Sequence, residues 1–256
     1  MAEQKQRPAA LVTGGAIRLG KANALALAEA GYDIALHYFS SEREAMLTQS
    51  EIESLGVRCI PFRLNLAKVC DYAAFMTEVH TKFPDLCVLV NSASGYIQAN
   101  ISNSTQEQFD QLFAINLRAP FFLSQAFAAC IGRGNIINII DNKIGFNQFK
   151  YAAYLLTKKA LADFTYIAAL EFAPNIRVNG VAPGVTLPAP SRSEEYLNWR
   201  IQGIPVKHKG DVHHITDAIL FLLKNEFVNG HVIVVDGGEN INNTGQNAGE
   251  YDQNKV

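Results

Sequence analysis

The chain has four cysteines, Cys59, Cys70, Cys87 and Cys130, with no Cys-x-x-Cys pair and no metal-ligand spacing. Three lie within or beside apolar runs, so they read as small core residues in a reducing compartment, which sets aside a disulfide framework and a cysteine metal centre. Excess charge is also missing: 22 Lys and Arg against 24 Asp and Glu leave a net charge of −2 and a pI near 6.3. Neither a nucleic acid nor an anionic membrane surface is expected as partner. The chain lacks the roughly 18 consecutive apolar residues that a membrane helix requires. Its polar start, Met-Ala-Glu-Gln-Lys-Gln-Arg-Pro, has no signal-peptide core. A soluble, cytoplasmic protein is expected. His213 and His214 are adjacent and cannot share a helix face, so they do not suggest a metal site.

The sequence is also without repeats, Pro- or Ser-rich linkers or a composition break before residue 240. What is present is alternation. Short β-rich runs (Ala9 to Thr13, Asp33 to Tyr38, Arg58 to Phe62, Cys87 to Asn91, Asn135 to Ile140, Arg177 to Val181 and His231 to Val235) are separated by segments long enough for crossover helices. That pattern predicts an α/β fold: a single-domain, doubly wound, Rossmann-type parallel sheet of about seven strands with helices on both faces. The domain is expected over residues 1–240, and residues 241–256, polar and rich in Gly and Asn, read as a loose tail.

Two constellations carry chemistry. After the fifth strand comes Asp141, followed by Tyr154 and Lys158 at i and i+4 of a helix, where both side chains share a face. A cation beside a phenol favours its ionised form, so Tyr154, with an ordinary pKa of about 10, becomes a usable proton donor nearer neutrality. The first βα turn, Thr13-Gly14-Gly15-Ala16-Ile17-Arg18-Leu19-Gly20, places glycines and a helix N-terminus where a cofactor diphosphate fits. It is not a Gly-x-Gly-x-x-Gly motif, and such a turn can also be simply tight. The second strand ends in His37-Tyr38-Phe39-Ser40-Ser41, with no acid for a ribose 2′-hydroxyl, whereas hydroxyls and an imidazole suit a 2′-phosphate. NADP is therefore expected over NAD, although Glu42 lies close by.

Over about residues 7 to 240 the chain resembles the short-chain dehydrogenase/reductase family. Thr13-Gly14 with Gly20 is similar to its cofactor turn, Asn91-Ser92-Ala93-Ser94 to its segment after the fourth strand, and Asn116 to its mid-helix Asn. Tyr154 and Lys158 resemble its catalytic pair, and Pro183-Gly184 its nicotinamide turn. The family usually has Ser at position 141 and Gly at position 18. With Asp141, Arg18, Ser94 and Tyr96 in place, the chain resembles one branch, the pteridine reductases and their dihydromonapterin or dihydrofolate reductase-like relatives.

The resemblance implies an NADPH-dependent reductase of a pterin or folate-like C=N bond. Tyr154 would deliver the proton, Asp141 assist it, and Lys158 contact the nicotinamide ribose and tune Tyr154. Asn116 would hold the water that links Lys158 to solvent. The cofactor would lie along Gly14, Arg18, Leu19, Gly20, His37, Tyr38, Ser40, Ser41, Asn65, Leu66, Asn91, Ala93, Lys158, Pro183 and Gly184. Substrate would meet Arg18, Ser94, Tyr96 and Tyr154. No metal is implied, and a homotetramer is, through helices around residues 107 to 131 and 150 to 172. Asn65, where the family usually has Asp, Ser92 for its second Asn, and Ser40, where pteridine reductases can carry Arg, depart from the pattern. Tyr96 is suited either to stacking on a heterocycle or to covering core, and Trp199, in the lid segment Val185 to Gly210, either to capping the substrate or to packing in the core. The alternatives are a carbonyl reductase such as a 3-oxoacyl-[acyl carrier protein] reductase and, from another class, a non-catalytic NADP-binding protein that keeps the fold.

Overall fold

Val, Ile and Leu fill the apolar runs, and such side chains suit a pleated surface covered on both faces. The runs become seven strands: β1 (Ala9–Val12), β2 (Asp33–Tyr38), β3 (Cys59–Arg63), β4 (Leu86–Asn91), β5 (Gly134–Ile139), β6 (Ile176–Pro183) and β7 (Val232–Val235). The computed structural model describes residues 7–68, 71–188 and 192–242. Cys70, Pro190 and residues 243–256 of the expected tail lie outside them. The strands form one parallel sheet in the order β3-β2-β1-β4-β5-β6-β7. The order reverses between β1 and β4, and the crevice at the carboxyl ends of these strands is where open α/β sheets bind ligands.

Alternation along each strand sends side chains to opposite faces. Ala9 and Leu11 of β1 enter a core under α3 (Tyr72–Lys82), α5 (Ala119–Ile131) and α6 (Ala152–Glu171). Ala10 and Val12 enter a second core under α1 (Arg18–Glu29), α2 (Glu42–Ser54) and α8 (Val212–Lys224). Each fully buried Leu, Ile or Phe contributes about 1.5–3 kcal/mol, so these two layers, more than helix propensity, fix where the helices begin and end relative to the sheet.

Three local features position the site. Helix α1 starts after Ile17 with no side-chain cap and no acid in its first turn, leaving its leading N–H groups unsatisfied by side chains. Helix α4 (Gln106–Phe113) continues into α5 through a π-helical turn, Ala114–Arg118, which contains the buried Asn116. Such wide turns often mark functional sites because they re-aim one side chain. After β6 the chain forms α7 (Glu194–Gln202), and after β7 the short α9 (Glu239–Asn242). Asp211 and His214 cap α8 reciprocally, which gives the adjacent histidines a structural place.

Candidate active site

A cavity of about 800 Å³ opens across the carboxyl ends of β1, β4, β5 and β6. One end is built by the β1–α1 turn. Gly14 sits at φ +64°, a conformation that favours glycine, and a Cβ there would lie 2.9 Å from Ala93 Cα. A Cβ on Gly20 would lie 2.0 Å from the Gly14 carbonyl oxygen, so α1 packs against the turn only with glycine at that position. Thr13 Oγ1 accepts hydrogen bonds from the backbone N–H groups of Ser92 (2.9 Å) and Ala93 (3.1 Å), tying the segment after β4 to the end of β1. Gly14, Arg18, Leu19, Gly20, His37, Tyr38, Ser40, Ser41, Asn65, Leu66, Ala93, Lys158, Pro183 and Gly184 all line this cavity.

Arg18 adopts φ +54°, a left-handed conformation that costs a residue with a side chain about 1–2 kcal/mol. Its guanidinium reaches across the cavity and donates to the Leu187 carbonyl at 2.5 Å and to that of Pro188 at 3.5 Å. Arg18 thus bridges the glycine turn to the loop after β6, a contact that no sequence pattern announces.

At the centre, Tyr154 and Asp141 meet. The Tyr154 hydroxyl donates to Asp141 Oδ2 at 2.7 Å, while Asp141 Oδ1 accepts the Lys143 backbone N–H at 2.9 Å. Lys158 Nζ donates to the Ile139 carbonyl at 2.9 Å and lies 5.8 Å from the centroid of the Tyr154 ring. The electrostatics differ from the sequence-based expectation. Burial, and next the charge and hydrogen bond of Asp141, push the Tyr154 phenol well above its usual value instead of below it. Burial lowers the pKa of Lys158 to about 8 against the raising effect of Asp141. Tyr154 is therefore held as a neutral phenol with its proton shared toward a carboxylate.

An aromatic pile stands beside this pair. Tyr96 stacks on the buried Tyr151, with centroids 4.7 Å apart, and meets Tyr154 edge-on, also at 4.7 Å. Tyr96 lines the cavity and is 52 % exposed, so it does not serve simply to cover core. Ser94 also lines the cavity, its hydroxyl 3.3 Å from Asn116 Oδ1.

Several of the expected residues also have structural partners. His37 is buried, accepting from Gly14 N at Nδ1 (3.0 Å) and facing the Leu64 carbonyl at Nε2 (3.0 Å). Both ring nitrogens are thereby occupied, and burial lowers its pKa to about 4, so the neutral ring pins the glycine turn and does not present a cation to a phosphate. Tyr38 is mostly buried and packs in the core with residues beneath α2, while also lining the cavity. Asn91 is buried away from the cavity wall and donates to Asn138 Oδ1 at 2.8 Å. Asn116 accepts from Gly95 N (2.7 Å) and donates to the Gly95 carbonyl (3.0 Å) and Thr157 Oγ1 (3.1 Å). Its amide braces the Ser94–Gly95 loop, and no hydrogen bond between it and Lys158 is found among the described residues. Trp199 packs by Tyr196, whereas Tyr196 and Arg200, one turn apart, face the cavity.

Sequence reasoning missed Lys143, Tyr196 and Arg200, all of which line the cavity, as do Thr186 and Arg192 of the expected lid segment. Arg200 is bound to Glu239 at 2.6 Å with both side chains buried, and Asn142 Nδ2 donates to Glu239 (3.0 Å) and Asp236 (3.1 Å). This network joins α7, α9 and the turn after β5. The i, i+4 spacing of Tyr196 and Arg200 was the available signal, but without the fold nothing tells which face of α7 looks inward.

Residues 15–240 match a family model described as enoyl-(acyl carrier protein) reductase. A 3-oxoacyl-[acyl-carrier-protein] reductase of Staphylococcus epidermidis is 32% identical over 238 residues, covering 90% of this chain and 97% of that protein. Among solved structures, alternative dihydrofolate reductase 1 from Brucella suis in complex with NADP is similar with a TM-score of 0.87 and 27% identity, covering 91% of this chain and 95% of that one. Acetoin dehydrogenase from Salmonella typhimurium is similar with a TM-score of 0.85 and 28% identity, covering 94% and 99%.

Proposed function

Because the chain belongs to the short-chain dehydrogenase/reductase family of oxidoreductases, we propose that it is an NADPH-dependent reductase of a pterin or folate-like ring. The observation that carries this reading is the 2.7 Å hydrogen bond between Tyr154 and Asp141, at the position where the family usually has Ser. A Ser hydroxyl suits a ketone oxygen, whereas a carboxyl group can both take up and return a proton, which suits a ring nitrogen. Arg18 and Tyr96 on the cavity wall, and the fold similarity to an alternative dihydrofolate reductase, support the same reading.

The glycine turn fits the cofactor. Gly14 and Gly20 leave room that any Cβ would fill, and the uncapped N-terminus of α1 favours a diphosphate. Ser40 and Ser41 follow the end of β2 and line the cavity, where their hydroxyls suit a 2′-phosphate although Glu42 comes next in the chain. When bound, NADPH supplies the hydride that reduces the ring carbon. Tyr154 gives its phenolic proton to the adjacent ring nitrogen, and Asp141, when protonated, returns one to the phenol. Lys158 holds a positive charge beneath the pair. Tyr96 presents a flat aromatic surface to a planar substrate, and Arg18 offers donors to ring oxygen or nitrogen.

The experiment that tests this is NADPH oxidation with 7,8-dihydropterins, dihydrofolate and an acetoacetyl thioester measured side by side. Turnover of dihydropterin or dihydrofolate is the expected result, and turnover of the thioester alone would overturn the reading. The second reading, a 3-oxoacyl-[acyl carrier protein] reductase, has a specific support in the full-length similarity to such enzymes.

A homotetramer is part of the proposal. Phe121 and Phe122 of α5 and Leu156, Ile167 and Leu170 of α6 are exposed apolar side chains on helices that the family resemblance places between subunits. Sedimentation velocity should give a species of four chains, and a monomer at micromolar concentration would contradict it.

A further inference from the structure

Lys143 follows Asp141 by two residues, in the short helical turn after β5, and is only 6 % exposed. Its side chain borders the cavity, yet no carboxylate nearby is its partner. Asp141 receives its hydrogen bonds from Tyr154 and from the Lys143 backbone. Glu239 is held by Arg200 and Asn142, and Asp236 by Asn142, Gly238 and Asn240. Among the described residues the Lys143 ammonium has no ion pair or hydrogen bond. Its recorded side-chain contact is the Tyr151 ring, with Nζ 5.3 Å from the centroid.

Burying most of a lysine side chain disfavours its charged form unless an anion stands beside the ammonium, and Lys143 opens only toward the cavity it lines. Burial accordingly pushes its pKa down, with Asp141 and Glu239 acting to raise it and Arg200 and Arg192 to lower it. Arg192 lies over the Tyr196 ring, so it too adds positive charge to this wall. The neighbouring acids are already committed, and what remains for Lys143 is an occupant of the cavity.

We propose that Lys143 is the binding site for an oxyanion of the substrate, a carboxylate or a phosphate carried beside the ring that is reduced. This rests on the reading of the cavity as the substrate site of a reductase, and it narrows the substrate class to planar compounds with an acidic substituent. A charge-assisted hydrogen bond in a desolvated site discriminates an anion from its neutral analogue by about ten- to a hundredfold.

The test is calorimetric titration of the NADP-loaded enzyme with benzoate, phenyl phosphate and the neutral benzamide. Wild type should bind one of the anions at least about tenfold more tightly than benzamide. The better anion distinguishes carboxylate from phosphate. Lys143→Met should bring that ratio close to one while the melting temperature holds or rises, since a purely structural lysine would leave the ratio and lower the melting temperature. In wild type the preference should also fade as pH rises through the lowered Lys143 pKa, so the proposal can be judged even if the variant does not fold. No anion preference in wild type, or one that survives Lys143→Met, overturns it. Dihydropterin turnover in the same preparation is a separate readout: anion preference without that turnover keeps the site and removes the pterin reading, and the reverse result removes the site alone.

Discussion

Tyr154→Phe should lower kcat for reduction by about 10²–10⁴-fold, the usual contribution of a positioned general acid. The phenol lines the cavity and donates to a carboxyl group, at 2.7 Å from Asp141 Oδ2. Because Tyr154 is held neutral, the group that titrates near the working range is Lys158, lowered by burial to about 8. A lowered lysine is charged below that pH and neutral above it, so wild-type kcat/KM should fall as pH rises through about 8. Phe also leaves Asp141 without its phenolic donor in a buried site, a stability cost of about 1–3 kcal/mol. Thermal melts therefore accompany the kinetics. Retention of most of the activity by a folded Tyr154→Phe protein would remove Tyr154 as the proton donor.

Asp141→Ser should lower dihydropterin turnover by about 10²-fold, the lower end of the same range, and leave NADPH affinity nearly unchanged. The substitution restores the residue usual in the family, so loss of folding is not the expected cause. It also has a pH signature. Asp141 acts to raise the Lys158 pKa, and its removal should move the alkaline limb to lower pH. The phenol should move the same way, because Asp141 holds it up by charge and by hydrogen bond. A steady-state pH profile measures the limb. Unchanged pterin turnover in Asp141→Ser would show that the carboxylate has no part in proton delivery, and gain of thioester turnover would favour the second reading.

The fold was legible because its signals are periodic. Each of the seven expected runs became a strand, with ends shifted by a residue or two in either direction, as in β6, which extends to Pro183 where it pairs with β7. The glycine turn was legible for a related reason: Gly14 and Gly20 are required by backbone geometry that their neighbours in sequence already imply. His37 lines the cavity, but the sequence could not show that its ring turns to the Gly14 N–H and the Leu64 carbonyl, because a polar residue at a strand end looks alike whether it faces solvent or turns inward. Asn116 was picked out only through the family resemblance, and its partners, Gly95 and Thr157, come from other elements.

By itself the sequence determined the α/β class, the parallel sheet and the joint presence of Asp141, Tyr154 and Lys158, because strand alternation and helix periodicity act over a few residues at a time. Only the tertiary structure decided the sign of the Tyr154 shift, the bridge from Arg18 to Leu187 and the place of Lys143 on the cavity wall, near Asp141 and Glu239 with its ammonium bonded to neither among the described residues. Those outcomes depend on burial and on distances between elements far apart in the chain. Electrostatic energies in a desolvated cavity change with every ångström of separation, and no local pattern encodes that distance.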